Sequence, residues 1–419
     1  MALFPLYLTH LTDKSINAGM PVGVGSLNKE NKHMHQTTGP LKGLKIIELG
    51  GIGPGPLCGM LLSDMGADVL RIDRNLPSGL GTPRPPKFDI LRRNRASVSV
   101  NLKAKEGIET ILRLVRQADA IIDPFRPGVT ERLGLGPDDC LACNEKLVYA
   151  RMTGWGQTGS LAQAAGHDIN YLALSGVLNM IGTREKPIPP LNIAADMGGG
   201  AMFLAFGILA AVFEAQRSGK GQVVDVSMVE GAAYLNTGIF GLMAGDLWSG
   251  QRESNTLDGG APFYRTYQTS DGLFVAIGSL EAKFYSLLLK KLGLNESELP
   301  PQLDATQWPA MHQKFEAIFR TKTRDEWCET FEGTDVCFSP VLSASEAPAH
   351  PHNKERGSFI TIDGVVQPGP APRFSRTPAS IPAGPPQFGE DTETGLAAWG
   401  FTTAEIEAMQ ERGSIGWKG

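Results

Sequence analysis

Short apolar runs alternate with helically spaced segments through the first half of the chain. The runs are LKIIELG, DVLRID, ASVSVNL, ADAIIDPF and KLVYARMT, each bounded by glycine, proline or polar residues. Continuous apolar runs of this length are typical of strands that are buried on both faces. PLCGMLLSDMGA and EGIETILRLVRQ, which follow two of the runs, have the spacing of amphipathic helices. This alternation predicts an α/β fold with a doubly wound parallel sheet.

The longest apolar run, AMFLAFGILAAVF at 201–213, predicts a buried helix. It falls short of the roughly 20 residues that a membrane-spanning helix needs, and it continues into the polar EAQRSGKG. We therefore expect no membrane-spanning segment and no membrane partner.

The pattern changes after about residue 230. YRTYQTSDGLFVAIGS predicts a hairpin with a Ser-Asp-Gly turn, and KFYSLLLKKLGL and HQKFEAIFRTKTRDEWCETF predict helices. These elements predict a small α+β domain at 230–335, inserted into a large α/β domain.

The two ends of the chain differ in composition. Residues 1–39 are polar and without periodicity, so we expect a poorly ordered leader. The large domain then begins with residues 40–229 and is completed by residues 336–419. Prolines crowd 364–389 and predict an extended segment that returns the chain to the large domain. The final segment TTAEIEAMQER predicts a helix capped by Thr402 or Thr403.

The composition argues against a nucleic-acid partner, a cysteine metal site and a secretory signal. The net charge is −5, which argues against a nucleic-acid partner. Five scattered cysteines indicate reduced thiols, and the lone Cys140–Cys143 pair lacks the histidines or second pair of a metal site. The amino terminus has no basic segment of the secretory kind, and the first arginine is Arg71. We expect no metal and a cytoplasmic location.

The stretch GGIGPGP imitates a dinucleotide-binding turn. It follows a predicted strand, precedes a helix, and lies 22 residues before Asp73 when counted from Gly51. The fingerprint nevertheless requires glycine at position 56, which is Pro56, and Pro54 and Pro56 lack the N–H groups that bind a pyrophosphate. A tight glycine turn is the better interpretation.

Basic residues cluster at the carboxyl ends of the predicted strands, where open α/β sheets bind their ligands. Arginine forks suit phosphate oxygens, so the cluster indicates an anionic ligand with several phosphates. The alternative is that each is an ordinary surface charge. The cluster comprises Arg71, Arg74, Arg92, Arg93, Arg95, Lys103, Arg126 and Arg132.

Long ordered motifs resemble the family III coenzyme A transferases. They include LKGLKIIELGGIGPGPLCGMLLSDMGADVLRID, RPGVTERLGLGP, YARMTGWGQTG, AGHDINY, DMGGG and PAPRFSRT, and the resemblance runs from about Leu41 to the last helix. Within the family, the chain is most similar to the members that racemise 2-methylacyl-CoA thioesters. The resemblance implies a homodimer of interlocked subunits, with the active site between the large domain of one subunit and the small domain of the other.

The resemblance also implies catalytic residues. Racemisation needs two bases on opposite faces of the α-carbon and stabilisation of the enolate oxygen. His167 and Asp196 are implied as the opposing acid/base groups, and Glu281 as the partner of that aspartate from the second subunit. From the residues alone, His167 could be structural, Asp196 a helix N-cap, and Glu281 a surface residue. Amides at the helix start near Asp196 are expected to hold the enolate oxygen.

The resemblance implies coenzyme A contacts along the strand ends and the GHDINY loop. Coenzyme A is then part of the substrate, and no separate cofactor is expected. Val100-Asn101 and Pro124-Phe125 depart from the common Ala-Asp and Gly-Tyr of the family, so contacts there are expected to be made by the backbone. The implied contact residues are Arg74, Val100, Asn101, Leu102, Lys103, Phe125, Arg126, Arg132, Gly166, Asp168, Ile169, Asn170 and Tyr171.

Two other functions remain open. A family III CoA-transferase would use Asp168 as a nucleophile that forms anhydride and thioester intermediates. Transferases usually lack a histidine at the position of His167, and some carry a glycine-rich loop where this chain has LDGGAPFYRTY. A non-catalytic acyl-CoA-binding protein would need the arginines but not the three catalytic candidates together. Racemisation is therefore the favoured prediction, with Asp168 orienting its loop.

Overall fold

Six parallel strands form the central sheet of the structure, a computed structural model that describes residues 38–76, 79 and 81–416. Their order is β3-β2-β1-β4-β5-β6. Almost every residue of the first five strands is buried, because helices cover both faces. The strands are β1 (Lys45–Leu49), β2 (Asp68–Arg74), β3 (Ala96–Val100), β4 (Ala120–Asp123), β5 (Val148–Thr153) and β6 (Gln222–Ser227).

The helices of the described residues complete the layers. A π-helix, Ile193–Met202, runs directly into α6, and short 3₁₀ turns lie at 86–88, 90–92, 178–180, 296–298 and 347–349. The α-helices are α1 (Pro54–Asp64), α2 (Lys105–Val115), α3 (Val129–Leu133), α4 (Pro137–Cys143), α5 (Asp168–Leu174), α6 (Phe203–Ser218), α7 (Met228–Leu235), α8 (Thr237–Ala244), α9 (Ala282–Lys291), α10 (Trp308–Phe319), α11 (Arg324–Phe331), α12 (Pro351–Glu355), α13 (Thr392–Ala398) and α14 (Thr403–Glu411).

Two apolar layers sandwich the sheet. One joins α1, α5, α6, α7 and the π-helix, and the other joins α2 and α4 to the C-terminal helices α13 and α14. Residues from both ends of the chain thus share one core. The predicted α/β fold is confirmed: helices cover both faces of a parallel sheet, and the large domain is built from both ends of the chain.

The carboxyl-terminal segment closes the edge of the sheet at β3. Asn101 donates its backbone N–H to the Ser414 carbonyl at 2.9 Å, and Gly416 donates to the Ser99 carbonyl at 3.0 Å. Such cover protects an edge strand from pairing with another chain. Thr402 caps α14 by accepting from the Glu405 N–H, as the sequence predicts. Residues 1–37, nearly the whole predicted leader, lie outside the described residues.

The long apolar helix differs from its prediction. The π-helix and α6 together run from Ile193 to Ser218, so the helix has 26 residues rather than the 13 of the apolar run. By length and composition alone it would be long enough to cross a membrane. One side of it packs on the sheet through Leu204, Ile208 and Val212. The candidate N-cap Asp196 placed its start four residues too late, because IAADMGGG carries no helical periodicity.

A separate three-stranded antiparallel sheet forms the small α+β part. Its strands are β7 (Tyr264–Gln268), β8 (Phe274–Gly278) and β9 (Phe338–Pro340), in the order β7-β8-β9. The predicted hairpin is β7 and β8, and its core is aromatic, with α9, α10 and α11 packed on it. The third strand follows residue 335, so the sheet uses chain beyond the predicted boundary.

The proline-rich segment begins as a hairpin. β10 (Phe359–Ile362) pairs with β11 (Val365–Pro368) in antiparallel register. Arg93 ties this hairpin to the large sheet by donating to the Gln367 side chain at 2.7 Å and to the Pro368 carbonyl at 2.9 Å.

Candidate active site

A cavity of about 260 Å³ opens at the carboxyl ends of β1, β4 and β5. Ligands of open α/β sheets bind in this position because the strand ends and the loops that follow them meet there. Its walls are the glycine-proline turn before α1, the loop after β4, the loop after β5, and the segment that leads into α5. The catalytic candidates His167 and Asp196 both line it.

His167 sits at the N-cap of α5, where its backbone N–H donates to the Asn170 side-chain oxygen at 3.0 Å. The residue is exposed and its ring borders the cavity. An imidazole changes charge near neutral pH, so it is able to accept and return a proton there.

Asp168 points away from the cavity and clamps the start of the π-helix. Its Oδ1 accepts the backbone N–H of Ala195 at 2.9 Å and of Asp196 at 2.7 Å. The residue is 5% exposed, and its Oδ2 is buried without a hydrogen-bond partner among the described residues. Asp168 therefore joins α5 to the helix that carries Asp196, as the loop-orienting prediction requires.

Asp196 lies inside the first turn of the π-helix, so its interpretation as a helix N-cap is wrong. Asn192 occupies the N-cap and donates its amide to Asp196 Oδ2 at 3.4 Å. Burial raises the pKa of Asp196, and the Asp168 charge raises it further, while the Asn192 hydrogen bond and the nearby His167 oppose the shift. A carboxyl with a raised pKa holds a proton more readily at neutral pH.

The amides at this helix start are not all available to an enolate oxygen. Those of Ala195 and Asp196 already bond to Asp168. These two amides are therefore not free for the enolate oxygen, and the expectation that amides near Asp196 hold it stays a prediction for the others at this helix start. The amino end of α1 offers a second helix terminus, since Gly53, Pro54 and Gly55 line the cavity.

Tyr171 fixes the segment before His167. Its hydroxyl donates to the Gly166 carbonyl at 2.5 Å, and its ring meets Trp155 edge-on at 4.8 Å. A Cβ on Gly154 would lie 2.1 Å from the Tyr171 ring, and one on Gly166 would lie 2.7 Å from it. Burial, followed by the Asp196 charge, raises the pKa of Tyr171 to about 12. The hydroxyl thus stays protonated and donates.

The predicted coenzyme A residues fall into two groups. Arg74 is exposed at the end of β2, its guanidinium 5.5 Å from the centre of the Phe125 ring, and Phe125 and Arg126 both line the cavity. Arg126 also donates to the Gln163 carbonyl at 3.4 Å. These residues place cationic groups at the cavity mouth, and exposed Arg132 follows in α3.

The second group lies at the end of β3 and in α5. Val100 is fully buried and the Asn101 N–H already pairs with Ser414, so neither that side chain nor that amide is available to a ligand. Leu102 is half-buried and Lys103 is exposed on the following turn. In α5, Ile169 and Asn170 are exposed, whereas Gly166 and Tyr171 border the cavity.

Asp123 supports the loop after β4 from below. Its Oδ1 accepts the Phe125 N–H at 3.0 Å, and its Oδ2 accepts the Thr130 hydroxyl at 2.9 Å. Burial raises the pKa of Asp123. Sequence inspection missed this residue because ADAIIDPF resembles an ordinary strand end.

Four of the predicted phosphate-binding arginines are instead buried ion-pair partners. Arg71 and Arg95 bond to Glu48, Arg92 to Asp73, and Arg93 to Asp64. All four are at most 4% exposed. Their assignment to the anion site is therefore wrong, and only Arg74, Lys103, Arg126 and Arg132 remain exposed.

Glu281 lies outside this cavity in its own subunit. It is the N-cap residue of α9, exposed, and close enough to Cys337 for its charge to raise the pKa of that thiol after burial has done so. Within the described residues, the chain therefore joins His167 and Asp196 at one cavity but leaves Glu281 on the small sheet.

Trp155, Met152 and Ile52 also line the cavity and were not predicted. The glycine-proline turn that carries Ile52 was assigned a purely structural role. The dipeptide Gly154-Trp155, directly after a buried strand, was the available signal, since loops at strand ends carry ligands.

Comparison with known proteins agrees with this fold. Residues 41–392 match the model of CoA-transferase family III. The alpha-methylacyl-CoA racemases of Mus musculus and Homo sapiens are 49% and 48% identical to this chain, each match covering 87% of this chain and 95% of the relative. A CAIB/BAIF family protein from Brucella suis superimposes with a TM-score of 0.76 at 25% identity, covering 86% of this chain and all of that one. The predicted relationship is confirmed, and this chain belongs to CoA-transferase family III.

Proposed function

We propose that the protein interconverts (R)- and (S)-2-methylacyl-CoA thioesters by removing the α-proton and returning it through an enolate. The observation that carries the proposal is the orientation of three neighbouring side chains. His167 and Asp196 line the cavity, whereas Asp168 turns away from it and accepts two backbone N–H groups. The similarity to proteins named alpha-methylacyl-CoA racemase supports the same reaction.

Each of the two groups suits one direction of the reaction. In one direction, His167 accepts the α-proton and the protonated form of Asp196, which its raised pKa favours, donates on the other side. In the reverse direction, the Asp196 carboxylate is the base and the His167 imidazolium is the acid. The positive end of the α1 dipole borders the cavity and favours the negative charge of the enolate oxygen.

Coenzyme A would extend from this cavity toward the exposed cations. Arg126 and Phe125 mark the wall from which it leaves, and Arg74 stands over Phe125. Lys103 and Arg132 are the other exposed cations within the predicted set. Cationic groups at these places suit the phosphates of coenzyme A, which enters and leaves as part of the thioester.

The proposal includes an interlocked homodimer in which a second copy supplies Glu281. Exposed Glu281 does not reach its own cavity. Large apolar side chains on α6, α7 and α8 are exposed in one subunit, among them Phe206, Tyr234 and Phe240. Apolar surface of this extent typically marks an interface.

The test is incubation of one enantiomer of a 2-methylacyl-CoA in deuterated buffer, with a parallel tube that contains a free carboxylic acid as acceptor. We expect α-deuterium incorporation with formation of the epimer. His167→Ala should lose epimer formation from either enantiomer, and should lose exchange of the enantiomer whose α-proton faces His167. Transfer of coenzyme A to the free acid without exchange, abolished in Asp168→Ala, would instead establish the CoA-transferase and make Asp168 the nucleophile.

A further inference from the structure

Glu48 lies at the centre of a buried charge cluster behind the glycine-proline turn. It stands near the carboxyl end of β1 and is 0% exposed. One of its carboxylate oxygens accepts from Arg71 of β2, and the other accepts from Arg95, which precedes β3. A Cβ on Gly59 of α1 would lie 2.2 Å from the Glu48 carboxylate, so the helix packs directly on this group.

The same two arginines also hold the backbone of the turn. Arg71 Nη2 donates to the Gly51 carbonyl at 3.2 Å, and Arg95 Nη1 donates to the Pro56 carbonyl at 3.0 Å. Gly51 and Pro56 enclose residues 52–55, all four of which line the cavity. Glu48 thus connects, through two guanidiniums, to both ends of the cavity wall.

The turn depends on these side chains because its own backbone makes few hydrogen bonds. Pro54 and Pro56 have no N–H to donate. Gly53 adopts φ +69, a conformation that glycine tolerates, and its ideal Cβ position is 3.8 Å from Asp196 Oδ2. Any shift of the turn therefore changes the space next to the Asp196 carboxylate.

The cluster also carries an excess of positive charge. Its three guanidiniums, Arg71, Arg92 and Arg95, face the two carboxylates of Glu48 and Asp73. Arg92 and Arg95 each keep two buried nitrogens without a hydrogen-bond partner among the described residues. Such a costly arrangement exceeds what packing alone requires, since apolar residues would fill the space more favourably.

We propose that Glu48 is a positioning residue for the proposed proton transfer, which it serves by holding the Gly51–Pro56 turn against Asp196 through Arg71 and Arg95. The inference rests on the proposed racemisation. Glu48 then affects the rate of the chemical step and not coenzyme A binding, because the turn lies beside Asp196 and carries none of the exposed cations.

The experiment compares two buried carboxylates of α1 and its strand, Glu48→Gln and Asp64→Asn. Asp64 is also buried, but its hydrogen bonds are to Arg93, which holds the β10–β11 hairpin, and to Asn94, and not to the arginines that bond to the turn. We expect kcat for α-deuterium exchange to fall by about 30-fold or more in Glu48→Gln, with the Kd for free coenzyme A changed by less than about threefold. Asp64→Asn should lower Tm about as much as Glu48→Gln does, but should keep kcat within about threefold of the wild-type value.

A second variant, Arg71→Lys, tests the inference even if Glu48→Gln fails to fold. Arg71→Lys retains the positive charge but loses the fork that reaches Glu48 and the Gly51 carbonyl together, so we expect kcat to fall about tenfold. The inference is overturned if Arg71→Lys keeps the wild-type kcat, or if Asp64→Asn loses as much kcat as Glu48→Gln. Wild-type protein that exchanges no deuterium would overturn the proposed function, and this inference with it.

Discussion

Gly154→Ala tests whether Tyr171 sets the position of His167. The added Cβ would lie 2.1 Å from Cε1 and 2.2 Å from Cζ of the Tyr171 ring. Ordinary contact begins at 3.4 Å, so the ring must withdraw by about 1.3 Å. Its hydroxyl bonds to the Gly166 carbonyl, the residue directly before His167. The imidazole should therefore shift with the ring.

The displacement of the His167 imidazole should lower the rate of the chemical step. A misplacement of about 1 Å in a catalytic constellation lowers the rate by about 100-fold, and we expect that loss in kcat for α-deuterium exchange. Overpacking of this kind costs about 1–3 kcal/mol of stability, which leaves the protein folded. The Kd for free coenzyme A should rise by less than kcat falls, because the predicted contacts of the GHDINY loop move with Tyr171 whereas the exposed cations lie on other loops.

The assay is deuterium incorporation into one enantiomer of a 2-methylacyl-CoA, followed with a thermal melt of each variant. Gly250→Ala is the matched control, since nothing lies within 4 Å of its ideal Cβ position. It should retain the wild-type kcat and Tm. Wild-type kcat in Gly154→Ala, with the melt lowered as overpacking requires, would refute the link between Tyr171 and His167.

Three further predictions address the charges around the cavity. Burial and the Asp168 charge raise the pKa of Asp196, so its base form is lost as pH falls through a pKa above the usual aspartate value. Asp168→Asn removes the repelling charge, so the acid limb of kcat/KM for exchange should move to lower pH. An unmoved limb would contradict the coupling. Asp123→Asn loosens the loop after β4, so steady-state kinetics should give a KM raised by about tenfold with kcat retained, and an equal fall in kcat would contradict that role. Arg74→Ala should raise KM by about tenfold and weaken its dependence on salt, whereas Arg116→Ala should change neither, because Arg116 is exposed just before β4, at the amino ends of the strands.

Local patterns predicted the sheet because its strands are continuous apolar runs. Burial on both faces selects such runs, and the runs LKIIELG and ADAIIDPF became adjacent strands β1 and β4. The β7–β8 hairpin and the Thr402 cap were predictable for a different reason: each depends on residues that are only a few positions apart in the sequence.

Ion pairs between residues that are far apart in the sequence could not be predicted from local patterns. LRRNR looks like a surface charge cluster, yet Arg95 meets Glu48 across 47 positions and Arg93 meets Asp64 across 29. Whether an arginine beside a strand is exposed or buried depends on which carboxylate the sheet order brings to it.

The local conformation of Asp196 was also beyond local rules. The π-helix packs so closely on α7 that a Cβ on Gly231 would lie 1.9 Å from the Gly199 carbonyl. Glycines in DMGGG permit this contact, while a sequence pattern gives only a helix start. Its place beside the cavity was predictable from the family resemblance alone.

The central claim is that His167 and Asp196 act as bases on opposite faces of one carbon. The most direct measurement is α-deuterium exchange of each enantiomer, separately, in His167→Ala and Asp196→Asn. A variant that keeps one base can still exchange the enantiomer whose proton faces that base, without producing the epimer. We predict that both variants lose epimerisation and that each exchanges a different enantiomer. Epimerisation that persists in either variant, or exchange of the same enantiomer by both, would contradict the two-base account.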